Sequence, residues 1–461
     1  MSPLPRIVVA APATGQGKTT VATGLMAALV QAGHAVSGHK VGPDYIDPGY
    51  HALACGRPGR NLDPHLVGEE LVAPLLLHGA RGADVAVVEG VMGLYDGRIG
   101  GDGFSSTAHV AALTRTPVVL VVDISRSSRS IGAVVHGMAT WDPTVEVAGV
   151  ILNQAGSQRH ADEVRSTITL PVLGVIPRDS SIATPSRHLG LVTAAERAGS
   201  EEVVARLGEM VGKHVDLDAV LDIARSAPAL EAAPWSPRTP VPRTSRRLRS
   251  NRHETPSTSA RPVVAVAAGR AFTFRYAETA ELLEAAGCEV VAFDPAHDTA
   301  LPSGTSGLYL GGGFPEVHAP DLSGNTALRA EIRSAVLEGL PTVAECAGLL
   351  YLCRTLDGVP MAGVLDADAA MTTRLTLRYP EAHAVGDSLL TRAGERVTAH
   401  EFHRTHVTPS TAGQAAWTVD GEQVGFASET LHASYLHTHW AGHPELAARF
   451  ADAVHQRHAH G

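Results

Sequence analysis

The chain has 461 residues, of which 44% are apolar, 18% charged and 4% aromatic. That length allows two or three domains and a large core that needs no disulfides. Its 37 Lys and Arg against 47 Asp and Glu leave a formal charge of −10, the wrong sign for a general nucleic-acid binder. No apolar run approaches the roughly 20 residues of a membrane span, and the cysteines lack metal-type spacing. We therefore expect a soluble, cytoplasmic protein.

Short apolar runs recur along the first half of the chain at the spacing of parallel strands. They lie at Ile7–Ala11, Val85–Val88, Val118–Val122, Val147–Leu152 and Val172–Ile176, with a helix predicted at Thr19–Gln31. Runs that are apolar throughout indicate strands covered on both faces. A second strand–helix–strand pattern begins at 263. Its predicted helix is Glu278–Ala286, and its predicted strands are Val263–Ala267, Val290–Phe293, Gly307–Leu310 and Thr342–Ala344.

These two patterns flank a segment, 225–261, that is rich in Pro, Ser and Arg and has no apolar period. Such a composition cannot bury a core and is typical of a solvated linker. We therefore predict an α/β protein with two doubly wound domains, 1–224 and 262–461, joined by this linker.

A glycine-rich turn follows the first strand and opens a helix. Its residues are Gly15, Gln16, Gly17, Lys18, Thr19 and Thr20. In such a turn the backbone N–H groups close around phosphate oxygens, the lysine reaches the outer phosphates and the threonine can ligate Mg²⁺. The strict pattern asks for glycine where Pro12 stands, but the rest of the motif predicts an ATP site.

Polar side chains follow other strands of the first half. Glu89 ends a buried strand, Asp44 and Asp47 lie in a Pro- and Gly-bounded loop, and Asn153 ends a further strand. Ligands of open α/β sheets collect at the carboxyl ends of strands. The acids could therefore bind Mg²⁺ together with Thr19, or orient a charged acceptor. The alternatives are ordinary strand-end and turn residues, and for Asn153 either an adenine contact or no ligand.

A cysteine in the second half lies between a short apolar strand and a helix-like run. Cys346 resembles the nucleophile of a strand–turn–helix elbow, where the sulfur is exposed and the following helix favours the thiolate. A glycine-rich strand exit lies upstream. We predict an oxyanion hole from the backbone N–H groups of Gly312, Gly313 and Ala347, with an ordinary glycine turn as the alternative.

The general base must be sought among 24 histidines. His437 is the best candidate, and His439, two residues on, could assist it from the same face of a strand. No carboxylate follows closely enough to complete a Cys-His-Glu triad. A zinc site is a weaker alternative, because it lacks further ligands. Its three histidines would be His400, His403 and His406.

Five motifs in order resemble those of the cobyrinate and hydrogenobyrinate a,c-diamide synthases of cobalamin biosynthesis. The motifs are Ala11–Thr20, Lys40–His51, Glu89–Gly97, Tyr309–Glu316 and Ser434–His437. The resemblance covers nearly the whole chain outside the linker. It implies a P-loop domain of the dethiobiotin-synthetase type followed by a class I glutamine amidotransferase domain of the cobyric-acid-synthase type.

The resemblance also implies a reaction. Glutamine is hydrolysed at Cys346 with His437 as base and without a third triad acid, and the ammonia crosses inside the protein to a second site. There ATP and Mg²⁺ activate the a- and c-carboxylates of hydrogenobyrinic or cobyrinic acid, which become carboxamides. Asp44, Asp47 and Glu89 match acidic positions near the metal and the acceptor. The oligomeric state stays open, with a homodimer as one candidate.

Three alternatives remain at this stage. Cobyric acid synthase shares both domains but amidates other carboxylates, and a nickel-sirohydrochlorin a,c-diamide synthase differs in its tetrapyrrole. A ParA/MinD-like switch ATPase shares the P-loop type, yet it would carry a second lysine where Ala13 stands and would need no Cys346 domain.

Overall fold

The structure is a computed structural model that describes residues 3–179, 186–187, 190–191, 199–238 and 261–460. The chain divides into two compact units, Met1–Trp235 and Ser236–Gly461. Across the described ranges, every helix is too short or too polar to cross a lipid bilayer.

A seven-stranded sheet forms the centre of the first unit. Its strands are β1 (Arg6–Ala10), β2 (Val36–Val41), β3 (Arg60–Leu62), β4 (Val85–Glu89), β5 (Val118–Asp123), β6 (Val147–Ala155) and β7 (Val172–Pro177). Their order is β3-β2-β4-β1-β5-β6-β7, and all neighbours are parallel. A two-stranded antiparallel pair, β8 (Ser186–Arg187) and β9 (Gly190–Leu191), follows. The strand runs predicted from the sequence are confirmed to within three residues at either end.

Helices lie between these strands and after them. They are α1 (Lys18–Gln31), α2 (Asp47–Cys55), α3 (Pro64–Val67), α4 (Glu69–Gly79), α5 (Thr107–Leu113), α6 (Ser130–Thr140), α7 (Gln158–Arg165), α8 (Ser200–His214) and α9 (Leu217–Ser226). Strands β1 to β4 are buried along their whole length, as a sheet covered by helices requires. Because the strands are parallel, their carboxyl ends meet at one edge of the sheet.

The start of the predicted linker, 225–261, packs on the first unit instead of lying in solvent. The Arg6 guanidinium donates a hydrogen bond to the carbonyl of Pro228. The backbone N–H of Trp235 donates to the carbonyl of Pro74. The Trp235 ring also meets His78 edge-on at 4.9 Å between centroids. The predicted boundary at 224 is therefore about ten residues early, because sequence composition alone hid these contacts. Most of the Pro/Ser/Arg-rich stretch, 239–260, lies outside the described residues.

The second unit contains fourteen strands and five helices in its described part. The strands are β10 (Val263–Ala267), β11 (Glu289–Phe293), β12 (Thr305–Leu310), β13 (Thr342–Glu345), β14 (Thr355–Leu356), β15 (Val359–Pro360), β16 (Asp368–Arg378), β17 (Glu381–Ala384), β18 (Arg396–Thr408), β19 (Trp417–Val419), β20 (Glu422–Val424), β21 (Phe426–Ala427), β22 (Leu431–Ser434) and β23 (His437–Thr438). The helices are α10 (Ala277–Ala285), α11 (Ala319–Gly324), α12 (Thr326–Leu337), α13 (Ala347–Leu352) and α14 (Pro444–His460).

Two sheets organise these elements. The first has the order β11-β10-β12-β13-β22-β21 and is parallel except at β21. The α/β fold class is thus confirmed here too. The second sheet, built around β16 and β18 and mostly antiparallel, was not predicted. Its strand β16 is largely exposed and polar, so it lacks the apolar run by which the other strands were recognised.

Replacing Trp235 by Ala should destabilise the first unit, because a ring that is 8% exposed leaves a cavity. We expect a loss of about 3 kcal/mol in the free energy of unfolding, measured by urea unfolding of the full chain. Trp141→Ala is the matched control, since that ring is 77% exposed. Equal unfolding midpoints for the two variants would show that Trp235 is not part of the core.

Candidate functional site

The glycine-rich turn of the first unit has the backbone that the sequence predicts. Gly15 and Gly17 have φ angles of 84° and 85°, in the left-handed region that favours glycine, and α1 begins at Lys18. A Cβ on Gly17 would also collide with the side chain of Asn153. The turn therefore depends on glycine at this position for two reasons, its conformation and its close approach to β6.

Two side-chain contacts anchor this turn to the strand ends. The Asn153 amide donates to the carbonyl of Gln16 at 2.9 Å, and the Gln16 side-chain oxygen accepts from the N–H of Asp123 at 2.8 Å. Asn153 is thus tied to the phosphate loop itself. Its predicted contact with adenine remains a prediction.

Three side chains converge on Glu89 at the carboxyl end of β4. The Thr19 hydroxyl donates to Glu89 Oε1 at 2.6 Å, and Lys40 Nζ lies 3.0 Å from the same oxygen. His51 Nε2 lies 2.7 Å from Oε2. Lys40 Nζ also lies 2.6 Å from Asp47 Oδ2, and the Thr19 hydroxyl reaches that oxygen at 3.3 Å. The structure therefore brings together two carboxylates, a hydroxyl and an ammonium.

This cluster is strongly charged although it is buried. Burial alone would raise the pKa of Glu89, but Lys40 and His51 outweigh it and hold that pKa well below its usual value. Burial likewise opposes the charge on Lys40, yet Asp47 and Glu89 raise its pKa above normal. Near neutral pH, Lys40 and Glu89 are therefore a true ion pair.

Among the residues that the structure describes, no carboxylate lies at hydrogen-bond distance from Lys18, the lysine of the phosphate loop. Its Nζ donates to the carbonyl of Met92 at 2.6 Å. Burial and the nearby charge of Lys40 lower its pKa to about 8. An anionic phosphate near Lys18 would restore its preference for the charged form.

The nucleophile elbow predicted in the second unit is also present. Cys346 follows β13 and precedes α13, with φ 50° and ψ −97°, a strained conformation for a residue with a side chain. Gly348 lets α13 approach β12, because a Cβ there would collide with the backbone of Leu310. The turn therefore holds the thiol at the carboxyl edge of the sheet.

The thiol of Cys346 is protonated near neutral pH. Burial raises its pKa above the usual value, Glu316 and Glu401 raise it further, and only the hydrogen bond from the Ala347 N–H lowers it. The prediction that the following helix favours the thiolate is outweighed by desolvation. A base is needed to remove the proton.

His437 meets the requirements for that base. It lies on β23, which pairs with β18, and it is 2% exposed. Burial and the neighbouring His403 lower its pKa to about 3, so the ring is neutral and can accept a proton. Strands β13 and β22 are parallel neighbours, with Glu345 opposite Ser434. Cys346 and His437 therefore leave the same edge of the sheet.

Two family models match the chain. Residues 7–192 match the CobQ/CobB/MinD/ParA nucleotide binding domain, and residues 263–445 match the CobB/CobQ-like glutamine amidotransferase domain.

Relatives match over nearly the full length. A hydrogenobyrinate a,c-diamide synthase of Thermobifida fusca is 60% identical over 98% of this chain and 97% of the relative. One of Streptomyces coelicolor is 55% identical over 98% of both chains. A cobyrinate a,c-diamide synthase of Dehalococcoides mccartyi is 38% identical over 97% of both chains. The chain belongs to the a,c-diamide synthase family. The resemblance found in the sequence is thereby confirmed, and the chain is an enzyme with a nucleotide-binding half and a glutamine amidotransferase half.

Not every acid predicted for the nucleotide half of this a,c-diamide synthase lies in the cluster. Asp44 Oδ1 accepts from the N–H groups of Ile46 and Asp47, so this side chain holds the start of α2. Asp47 takes the place beside Thr19 and Glu89 instead. Carboxylate and hydroxyl oxygens suit Mg²⁺, so Thr19, Asp47 and Glu89 fit the ion better than the predicted set with Asp44. Lys40 and His51, which complete the cluster, were not predicted.

The predicted oxyanion hole of the amidotransferase half needs a correction. The N–H of Gly312 donates to the carbonyl of Phe274 at 2.9 Å, so the prediction for Gly312 is wrong. A Cβ on Gly312 would collide with the His437 ring, so the glycine makes room for the base. The Ala347 N–H points to the thiol of Cys346. The roles of Ala347 and Gly313 remain predictions.

The other histidines singled out in the sequence have contacts of their own, and His400 lies opposite His437 on β18. His439 Nε2 is 3.6 Å from Glu278 Oε2, a different carboxylate from the one beside His437. His403 bonds Glu401 at 2.8 Å, while His406 is exposed. Throughout the described part of the chain, no three His, Cys, Asp or Glu residues are grouped as a metal site, which argues against the zinc alternative.

The placement of the acids predicts different effects for two similar substitutions. Asp47→Asn should weaken Mg²⁺-dependent ATP binding by roughly 10-fold or more, because a carboxylate beside Thr19 is lost. Asp44→Asn is the matched control and should bind nearly as well as wild type, since an asparagine side-chain oxygen can accept the same two N–H bonds. Titration calorimetry with and without Mg²⁺ measures both. A larger loss for Asp44→Asn would reverse the assignment.

Proposed function

We propose that this protein amidates the a- and c-side-chain carboxylates of hydrogenobyrinic acid, with ATP as co-substrate and glutamine as nitrogen donor. We choose hydrogenobyrinic acid as the substrate because the relatives named for it are more similar in sequence to this chain. Those named for hydrogenobyrinate are 52–60% identical to this chain, whereas those named for cobyrinate are 38–39% identical. Cobyrinic acid is therefore the second candidate substrate.

In the second unit, the neutral His437 takes the proton of the Cys346 thiol, and the thiolate attacks the side-chain amide carbon of glutamine. The Ala347 N–H stabilises the oxyanion that forms. His437 then gives its proton to the leaving nitrogen, which departs as ammonia and leaves a thioester on Cys346. Water hydrolyses the thioester and releases glutamate, which returns the thiol and the neutral base.

In the first unit, a carboxylate oxygen of the acceptor attacks the γ-phosphorus of ATP, which gives an acyl phosphate and ADP. The backbone of the glycine-rich turn and Lys18 bind the phosphates. Thr19, Asp47 and Glu89 would hold Mg²⁺, which would neutralise part of the phosphate charge. Ammonia then attacks the acyl carbon, phosphate leaves, and a carboxamide results. A second cycle amidates the other carboxylate.

Ammonia in bulk water near neutral pH is mostly ammonium, which has no lone pair for this attack. We therefore propose that ammonia released in the second unit reaches the first without mixing with solvent. A reaction with unlabelled glutamine in the presence of ¹⁵N-ammonium tests this transfer. Unlabelled carboxamides support it, and carboxamides carrying the label in proportion to the ammonium added would contradict it.

Two substitutions should separate the two half-reactions. Cys346→Ala should abolish glutamine-dependent amidation and keep amidation at high ammonium, because only the nucleophile is lost. Lys18→Ala should lower amidation with either nitrogen source by roughly 100-fold or more, because phosphate charge is no longer offset. Product mass spectrometry and ADP release measure both. Loss of ammonium-dependent activity in Cys346→Ala, with the fold intact, would contradict two separate sites.

Product mass spectrometry also identifies which tetrapyrrole is the acceptor. We expect a product with two carboxamides from hydrogenobyrinic acid at a higher kcat/KM than from cobyrinic acid, and none from sirohydrochlorin. A faster reaction with cobyrinic acid would favour the second candidate. Four carboxamides added to an a,c-diamide would favour cobyric acid synthase.

A further inference from the structure

A buried carboxylate lies beside the base of the glutamine site, although no acid follows His437 closely in the sequence. Glu345, the residue before the nucleophile, places its Oε2 3.8 Å from Nδ1 of His437. Both residues are 4% exposed or less. The carboxylate therefore comes from the last residue of β13, directly before Cys346, so one strand end would supply both the nucleophile and the partner of the base.

Three donors fix the orientation of this carboxylate. Its Oε1 accepts from the hydroxyl of Thr438 at 2.9 Å and from the Thr438 N–H at 3.3 Å. Its Oε2 accepts from the hydroxyl of Tyr309 at 2.9 Å. One oxygen is thus held by the residue that follows His437, and the other is directed to the imidazole.

The other acids near His437 have different partners. Glu401 bonds Arg378 at 2.7 Å and His403 at 2.8 Å, and Glu278 lies 3.6 Å from His439. His400 is opposite His437 on β18, with 6.2 Å between ring centroids, and brings no negative charge. Glu345 is therefore the carboxylate best placed to act on His437.

We propose that Glu345 is a positioning residue for His437: its carboxylate keeps the imidazole proton on Nδ1 and stabilises the imidazolium that forms when His437 takes the proton of Cys346. The inference rests on the glutaminase roles proposed above for Cys346 and His437. The 3.8 Å separation shortens to a hydrogen bond when the ring becomes charged, since a charge-assisted bond is stronger than a neutral one.

This arrangement gives the glutamine reaction a distinctive pH dependence. Burial raises the pKa of Glu345 to about 7, although Thr438 and Tyr309 lower it in part. The ionised fraction of Glu345 therefore increases as the pH rises through 7, and glutamine-dependent kcat should increase with it. Burial and His403 lower the pKa of His437 to about 3, although Glu401 opposes them, so His437 does not titrate in this range.

The test compares glutamine-dependent kcat, KM and pH profiles of the full chain and its variants. Glu345→Gln should lower kcat by roughly 100-fold or more with little change in KM, and the rise near pH 7 should disappear. Glu345→Asp should keep the rise and restore part of kcat. Tyr309→Phe removes a donor to the carboxylate and should move the midpoint to higher pH. Glu278→Gln, a buried carboxylate beside the other histidine, is the matched control and should keep the wild-type profile.

Amidation with ammonium, measured in parallel, shows that each variant is folded and that the first unit works. A Glu345→Gln variant with wild-type kcat, or with reduced kcat and an unchanged rise near pH 7, would overturn the inference. Failure of the proposed function looks different: a Cys346→Ala variant would then still use glutamine, whatever Glu345→Gln does.

Discussion

The ion pair between Lys40 and Glu89 is the interaction on which the nucleotide half depends. Sheet register places the two residues directly opposite each other on β2 and β4. Each charge alone would be costly at this depth, because the sheet and its helices exclude the water that would solvate it. Together, and with Asp47 and His51 around them, they keep a buried cluster of ionisable groups beside a phosphate-binding turn. The parallel sheet thus supplies both the positions and the low dielectric of the site.

The glutamine half uses the carboxyl edge of its own parallel sheet, but the groups there are held neutral instead of charged. There the proposed nucleophile is a protonated thiol and the proposed base a neutral imidazole, and burial is the largest cause of both states. A site that binds ATP and a polyacid needs fixed charges to offset repulsion. A site that cleaves an amide at a thiol needs a proton to move from the thiol to the imidazole, and here the thiol starts protonated and the ring starts neutral. The two units therefore differ in the charge state of their buried groups as well as in the types of residue they use.

Contiguous patterns were readable from the sequence, and contacts between distant segments were not. The glycine-rich turn, the strand ending at Glu89 and the elbow at Cys346 are each contained within about ten residues, so residue order alone located them. Lys40 lies in a motif that was recognised, yet only the register of β2 against β4 shows its pairing with Glu89. A lysine at the end of a buried strand was the available signal. The role of Gly312 was misjudged because its N–H is taken by Phe274, nearly forty residues away in the chain.

The antiparallel sheet of the second unit was missed for a related reason. Its long strand β18 is exposed only at Arg396, His406 and Thr408, and many of its buried residues are histidine, glutamate or threonine instead of aliphatic residues. Hydrophobic periodicity cannot detect a strand whose inner face is polar. That polar face includes His400, the neighbour of His437, so the least predictable sheet borders the site of glutamine chemistry.

The raised pKa of Cys346 also bears on how the enzyme survives between turnovers. Peroxides and other electrophiles react with thiolates far faster than with thiols, and the ladder from sulfenic to sulfonic acid begins with that attack. A nucleophile that is 4% exposed and stays protonated until its base acts offers such oxidants very little to attack. Desolvation thereby shields the resting sulfur from irreversible damage while leaving it ready for substrate.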